Sequence, residues 1–367
     1  MDLHRGMDLP TPLAWLVDEA VASPSPEEFL AGLGRRLRDA GLPLAGGALT
    51  LAVPHPIIAR RTWLWRAETG AVIEALAFPG APDSRSAAGR SWLAGLGPVQ
   101  EEAVAAPDSP VLGWAGTRPF GAAEADRLRE IARFAAAPLA ALAARAALAA
   151  LLEAYLGRRS AARVLAGALR RGTGETIRAV LLFADLRGFT ALSESTEPAA
   201  VIAALDAWFD RVAGAVHAFG GEVLKFIGDG IFAIFPVTSA PAFPVASAPA
   251  EACAAALRAV VAARAGMAHL DAARQAQGLP PLPFGAALHL GEILWGNIGA
   301  ADRLDFTAIG PAVNLVSRLE GLCRPLGRSV LISGAVAAEV TTPLTPLGEH
   351  RLRGIAEACA VFTLPEG

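Results

Sequence analysis

The chain has 367 residues, a hydrophobic fraction of 53%, and 35 acidic against 32 basic side chains, for a net charge of −3 and a pI near 6.1. That length exceeds one ordinary domain and favours two with a connecting segment, with apolar material enough for both cores. A balanced, slightly acidic chain lacks the basic footprint of a nucleic-acid binder, and Cys253, Cys323 and Cys359, widely spaced with no CxxC pair, exclude a disulfide framework and give no zinc signature.

The first residues carry Asp2, His4, Arg5 and Asp8 and no apolar core of signal-peptide length. From about residue 11 to 120 the pattern predicts a compact α/β module. A helix is expected near 26–40, and strands near 48–53, 62–66, 72–77 and 111–115, punctuated by Gly and Pro. Trp63, Trp65, Trp92 and Trp114 suit either a core or the lining of a small-molecule pocket. His4 and His55 have no partners at metal-ligand spacing.

Residues from about 122 to 171 read as a long helix or helix pair. Leu128, Ile131, Ala135, Leu139 and Leu142 form one apolar stripe, and Leu148, Leu152 and Tyr155 a second. Such a stripe suits a coiled coil with a second copy or packing onto its own domain. The alanine-rich run 134–152 is the nearest thing to a membrane span, but Pro138 and Arg145 interrupt it. The expectation is a soluble, cytoplasmic protein without an integral membrane segment. Arg158, Arg159, Arg163, Arg170 and Arg171 form a basic cluster suited to solvated surface.

Leu181, Leu182 and Phe183 predict a buried strand that ends by delivering Asp185. A turn containing Gly188 follows and opens one amphipathic helix carrying Leu192, Val201, Ile202, Leu205, Trp208 and Phe209. A second apolar run predicts a hairpin whose turn, Gly228-Asp229-Gly230, delivers Asp229. If the two strands are neighbours, both carboxylates lie at one end of a sheet. Carboxylates that close repel unless a cation lies between them, and hard oxygen donors favour magnesium or manganese. The turn Gly188-Phe189-Thr190 leads into a helix N-terminus, whose free N–H groups favour a phosphate. Metal with phosphate points to a nucleotide. Taken singly, Asp185 also suits a helix cap and Asp229 a hairpin turn.

Residues 235–251 read as a Pro-, Ala- and Ser-rich loop, followed by a helix near 250–275 that the Gly- and Pro-rich 278–283 ends. Residues 284–290 and 292–297 predict a second hairpin around Gly291, with His289 as a packed or hydrogen-bonded core residue. Pro311 suits the first turn of a further helix. Asn314 and Arg318 then share one face, an amide and a guanidinium fit for a ribose and a phosphate, although on spacing alone such a pair is ordinary.

Three of these stretches resemble the class III nucleotidyl cyclases. Phe183-Ala184-Asp185-Leu186-Arg187-Gly188-Phe189-Thr190 looks like the family's first metal motif, and Lys225-Phe226-Ile227-Gly228-Asp229 its second. Arg303-Leu304-Asp305-Phe306-Thr307-Ala308-Ile309-Gly310-Pro311-Ala312-Val313-Asn314-Leu315-Val316-Ser317-Arg318 looks like the third. The likeness runs over about residues 175–364.

The resemblance implies an α/β (α+β) chain with a ferredoxin-like catalytic domain at 173–367. An N-terminal α/β regulatory domain at 1–121, similar in element order to GAF-type sensors, and a helical linker at 122–172 would precede it. The implied activity is adenylate cyclase: ATP becomes 3′,5′-cyclic AMP and pyrophosphate. Asp185, Leu186 and Asp229 would hold two Mg2+ or Mn2+ ions, and Gly188, Phe189 and Thr190 would face the phosphates. Asn314 would orient the ribose, Arg318 would stabilise the transition state, and Arg353 would contact phosphate.

Lys225 and Thr307 would read the base, a donor and an acceptor that complement adenine. Thr307 stands where the family commonly has Asp. Because family members divide these residues between two subunits, a homodimer is implied, with ATP as substrate and a small-molecule ligand for the N-terminal domain. Guanylate cyclase is the enzymatic alternative. A catalytically silent binding module is the other; its mark would be a missing aspartate or arginine, and none is missing.

Overall fold

The computed structural model describes residues 10–52, 58–77, 87–104, 110–167, 170–237, 247–300 and 302–365. His4, His55 and residues 238–246 of the expected loop lie outside them. Two compact units emerge, Met1–Tyr155 and Leu156–Gly367.

The first unit begins with α1 (Thr11–Asp18) and α2 (Pro26–Asp39). Ser25 caps α2, its Oγ accepting the Glu28 N–H at 3.1 Å, with Pro26 in the first turn. Five strands follow, β1 (Leu44–Ala52), β2 (Arg60–Arg66), β3 (Val72–Ala77), β4 (Val99–Ala103) and β5 (Val111–Gly116), with α3 (Ala87–Ala94) between β3 and β4. They form one antiparallel sheet in the order β3-β2-β1-β5-β4. Of the two roles open to the tryptophans, Trp65 and Trp114 take the core: both are fully buried and meet edge-on at 6.4 Å. A Cβ on Gly34 would lie 2.4 Å from the Trp65 ring, which explains a glycine inside α2.

Helices α4 (Ala122–Phe134) and α5 (Ala136–Leu156) return to this core. Leu128, Ile131, Ala135, Leu139 and Leu142 pack there, and Arg145 donates to the carbonyls of Val21 and Ser23 at 3.0 and 2.9 Å. The first half of the segment expected as a linker is thus part of the first unit. Beyond it the stripe opens to solvent, with Leu148 51% and Tyr155 85% exposed.

The second unit comprises α6 (Arg158–Leu165), β6 (Gly174–Leu186), α7 (Phe189–Ser195), α8 (Pro198–Ala218), β7 (Glu222–Ile227), β8 (Gly230–Pro236), α9 (Pro249–Ala276) and β9 (Phe284–Gly299). It continues with β10 (Leu304–Ile309), α10 (Pro311–Glu320), β11 (Val330–Ser333), α11 (Gly334–Ala337), β12 (Thr345–Arg351) and β13 (Ala358–Thr363). Its sheet runs β12-β13-β11-β9-β6-β8-β7, with β10 paired to β9. The antiparallel order β9-β6-β8-β7, with α7 and α8 after β6 and α9 before β9, is the ferredoxin-like arrangement expected. One face is covered by α8 and α9, which press Trp208, Val212, Val260 and Met267 onto Val180, Leu182 and Leu288. The other is covered by α10, whose Ala312, Val316 and Leu319 meet Ile177, Leu181 and Trp295.

Helices α5 and α9 are both long and apolar enough to cross a membrane by length and composition. The second buries Cys253, Ala256, Val260, Ala263 and Met267 in this core.

Two expectations are corrected. The single helix expected after Asp185 is two, α7 and α8. Pro198 suits the first turn of a new helix and pushes Glu197 before it into extended backbone, with ψ 138°. The hairpin expected around Gly291 is one unbroken strand of 16 residues, β9. Gly291 marks a close approach instead of a turn: a Cβ there would lie 2.6 Å from the Ala312 Cβ of α10.

Candidate active site

Strand β6 is central, and its last residues carry Asp185 to the sheet's end, opposite Gly285 of β9 and one position past the Ala184–Ile231 pairing with β8. The β7–β8 turn brings Asp229 to the same end. Gly228, at φ 62°, permits the turn, and the Trp208 indole donates to the Asp229 carbonyl at 2.9 Å, pinning it to α8. Gly230 leaves room for the first acid, since a Cβ there would lie 3.2 Å from Asp185 Oδ1. Burial above all, then the negative charges of Asp229 and Glu320, pushes the Asp185 carboxyl up to about 7. The two expected aspartates therefore act on each other directly.

Among the described residues, no group of three or more His, Cys, Asp or Glu is arranged to hold a metal. A pair of carboxylates nonetheless fits a hard divalent cation, which completes its shell with water and phosphate oxygens and relieves the repulsion between Asp185 and Asp229 that adds to the effect of burial. Gly188 follows at φ 76°, and Phe189 and Thr190 open α7, whose first turn has no side-chain cap.

A cavity of about 480 Å³ begins at this turn, lined by Leu186, Arg187, Gly188, Glu320, Gly321 and Arg324. Glu320, which the motifs did not single out, ends α10 with its carboxylate over Gly285, where a Cβ would lie 2.2 Å from Oε1. Burial, together with the charge of Asp229, raises the Glu320 carboxyl, and the Arg187 guanidinium opposes the shift. Arg187 donates from Nη2 to the Arg328 carbonyl, and its buried Nε has no hydrogen-bond partner among the described residues. A second cavity of about 730 Å³ against α9 shares Arg187 but holds none of the expected site residues.

Lys225, on β7, forms an ion pair with Asp305 of β10. Buried Phe306 and Ala308 alternate with Asp305 and Thr307, so the latter two share the face that Lys225 meets. Asp305 was missed by the sequence reading, although its two-residue offset from Thr307 in a strand was the signal for it. Asn314 and Arg318 lie on the exposed side of α10, opposite its buried stripe. Arg318 is not among the charges acting on Asp185. Arg353 follows β12, at the opposite sheet edge from β7. Within one chain, then, Asp185 and Asp229 meet at one strand end, Lys225 pairs with Asp305 between β7 and β10, and Asn314 and Arg318 lie on the exposed side of α10, three groups on different elements.

Residues 174–364, slightly more than half of the chain, match the family described as the adenylate and guanylate cyclase catalytic domain. The chain belongs to this family. Among its relatives, adenylate cyclase 1 of Rhizobium meliloti is 35% identical over 183 residues, covering 49% of this chain and 26% of that protein. Adenylate cyclase 2 of the same organism is 33% identical over 217 residues, covering 58% and 56%. The adenylate cyclase of Anabaena cylindrica is 31% identical over 176 residues, covering 47% and 32%. The chain thus spans less than two thirds of the length of each of these proteins. Among solved structures, the adenylyl cyclase CyaB from P. aeruginosa is similar over 53% of this chain and 97% of that one, at 27% identity and a TM-score of 0.48. The cyclase domain so defined opens with β6 and extends past β13.

Proposed function

We propose that the chain is an adenylate cyclase that converts ATP into 3′,5′-cyclic AMP and pyrophosphate in the reducing cytoplasm, working as a homodimer under the control of its N-terminal unit. The observation that carries this reading is the meeting of Asp185 and Asp229 at one strand end, close enough for one to raise the other's pKa. Asp185, the Leu186 carbonyl and Asp229 would hold two Mg2+ or Mn2+ ions. When bound, such ions neutralise triphosphate charge and acidify the ribose 3′-hydroxyl. Gly188, Phe189 and Thr190 would offer backbone N–H groups to the phosphates.

Lys225 would donate to adenine N1 and Thr307 would accept from the 6-amino group, with Asp305 holding Lys225 in place. Asn314 would fix the ribose and Arg318 would stabilise charge on the α-phosphate, an effect worth about 3 kcal/mol for one well-placed donor. The placement of these groups on different elements supports a site completed by a second copy, with Arg353 arriving from that copy. A small molecule bound by the first unit would act on how the copies meet. Free Cys253, Cys323 and Cys359 suit a reducing compartment.

Asp305 lends one observation to the alternative of guanylate cyclase, because a carboxylate accepts from guanine N1–H and its 2-amino group. Its pairing with Lys225 and the presence of Thr307 favour adenine. Assaying the purified protein with each nucleotide in manganese separates the two, and we expect cyclic AMP to dominate. Preferential turnover of GTP would overturn the substrate assignment. Asp185→Asn is expected to lower activity about a hundredfold or more without unfolding the protein; substantial retained activity would remove the metal argument.

A further inference from the structure

In the reaction so proposed the departing pyrophosphate is met by the metal ions, by the N–H groups of the turn at Gly188 and by Arg353 of the second copy, but by no side chain of the chain that supplies the acids. As the ribose 3′-oxygen bonds to the α-phosphorus and loses its proton to water, the bond to the β-phosphate oxygen breaks. That electron pair leaves on pyrophosphate. Arg318 is assigned to the α-phosphate. Arg187 is committed elsewhere, through its Nη2 to the Arg328 carbonyl and through its attraction to Glu320.

Arg324 remains. It lines the cavity of about 480 Å³ that starts beside Asp185, together with Gly188 of the phosphate-facing turn. Its guanidinium has no hydrogen bond or ion pair among the described residues, and although it stands four positions after Glu320 it does not pair with that carboxylate. Glu320 is held the other way, over Gly285 and toward Arg187. Building on the cyclase reading, we propose that Arg324 binds the β- and γ-phosphates of the nucleotide from the same chain that supplies Asp185, and takes up the charge of the departing pyrophosphate. A guanidinium suits this task because its fork donates to two phosphate oxygens at once.

The test uses the full chain and magnesium pyrophosphate as probe, measured calorimetrically and as an inhibitor of ATP conversion, with AMP as the ligand lacking that group. Arg324→Ala is expected to weaken pyrophosphate binding and raise the KM for ATP by roughly tenfold, the scale of one charge-assisted contact at a solvent-open site, while leaving AMP binding unchanged. Arg324→Lys keeps the charge and should recover most of the loss. Unchanged pyrophosphate affinity in Arg324→Ala would overturn the proposal, as would an equal loss of AMP binding, which would mark a structural role. Wild-type protein that makes no cyclic nucleotide yet loses pyrophosphate through Arg324→Ala would keep the subsite and sink the cyclase reading instead.

Discussion

Asp185 shows how far a single residue could be read from the sequence. Its place at a strand end followed from the apolar run before it, and its pairing with Asp229 from the hairpin turn. Its charge state did not, because that depends on burial and on Glu320, which arrives from a helix 135 positions later in the chain. Asp305 and Arg324 escaped for a similar reason: each matters through what lies opposite it, and although Asp305 falls inside the third motif, its partner Lys225 lies 80 positions earlier in the chain. The shift at Asp185 has a consequence for pH. Its carboxyl titrates near 7 in the folded protein against an ordinary 3.8, so the stability its protonated form provides is complete below 3.8 and is lost as pH rises through about 7. Compared with Asp185→Asn, metal-free wild-type protein should therefore lose melting temperature between pH 5.5 and pH 8, a comparison in which the opposite contribution of buried His289 cancels, and magnesium should raise the wild-type melting temperature more at pH 8. Melting curves with EDTA and with magnesium check both.

At the scale of elements, long periodic stretches were legible and their interruptions were not. Helices α2, α8 and α9 and strands β6 and β8 lie where apolar spacing put them. Gly291 misled because a glycine amid apolar residues signals a turn and a close approach equally well, and only the position of α10 distinguishes them. Strand β4 was invisible because Gln100, Glu101 and Glu102 give an edge strand no apolar alternation. The GAF-type likeness rested on element order alone, with no motif to carry it. The Gly291 contact predicts that Gly291→Ala costs about 1–3 kcal/mol, since the new methyl must displace α10 or bend β9. Denaturant unfolding measures the cost. Stability unchanged within error would show that the helix stands off the strand more than its 2.6 Å approach implies.

Across the whole molecule, the family was legible because three motifs fell in order over residues 183–318, whereas the arrangement of their chemistry was not. The fold gathers the acids at one strand end, places Lys225 and Thr307 on β7 and β10, and leaves Asn314 and Arg318 on the exposed side of α10. The proposed homodimer accounts for a chain that carries every group on different elements, because two copies would complete each other's sites. The most direct test of that claim mixes two variants that are each inert, Asp185→Asn and Arg318→Ala, and measures cyclic AMP formed from ATP. We predict that activity returns on mixing, because each mixed dimer contains one site with intact acids from one chain and intact arginine from the other. Mixed dimers that demonstrably form and remain inactive would contradict the account.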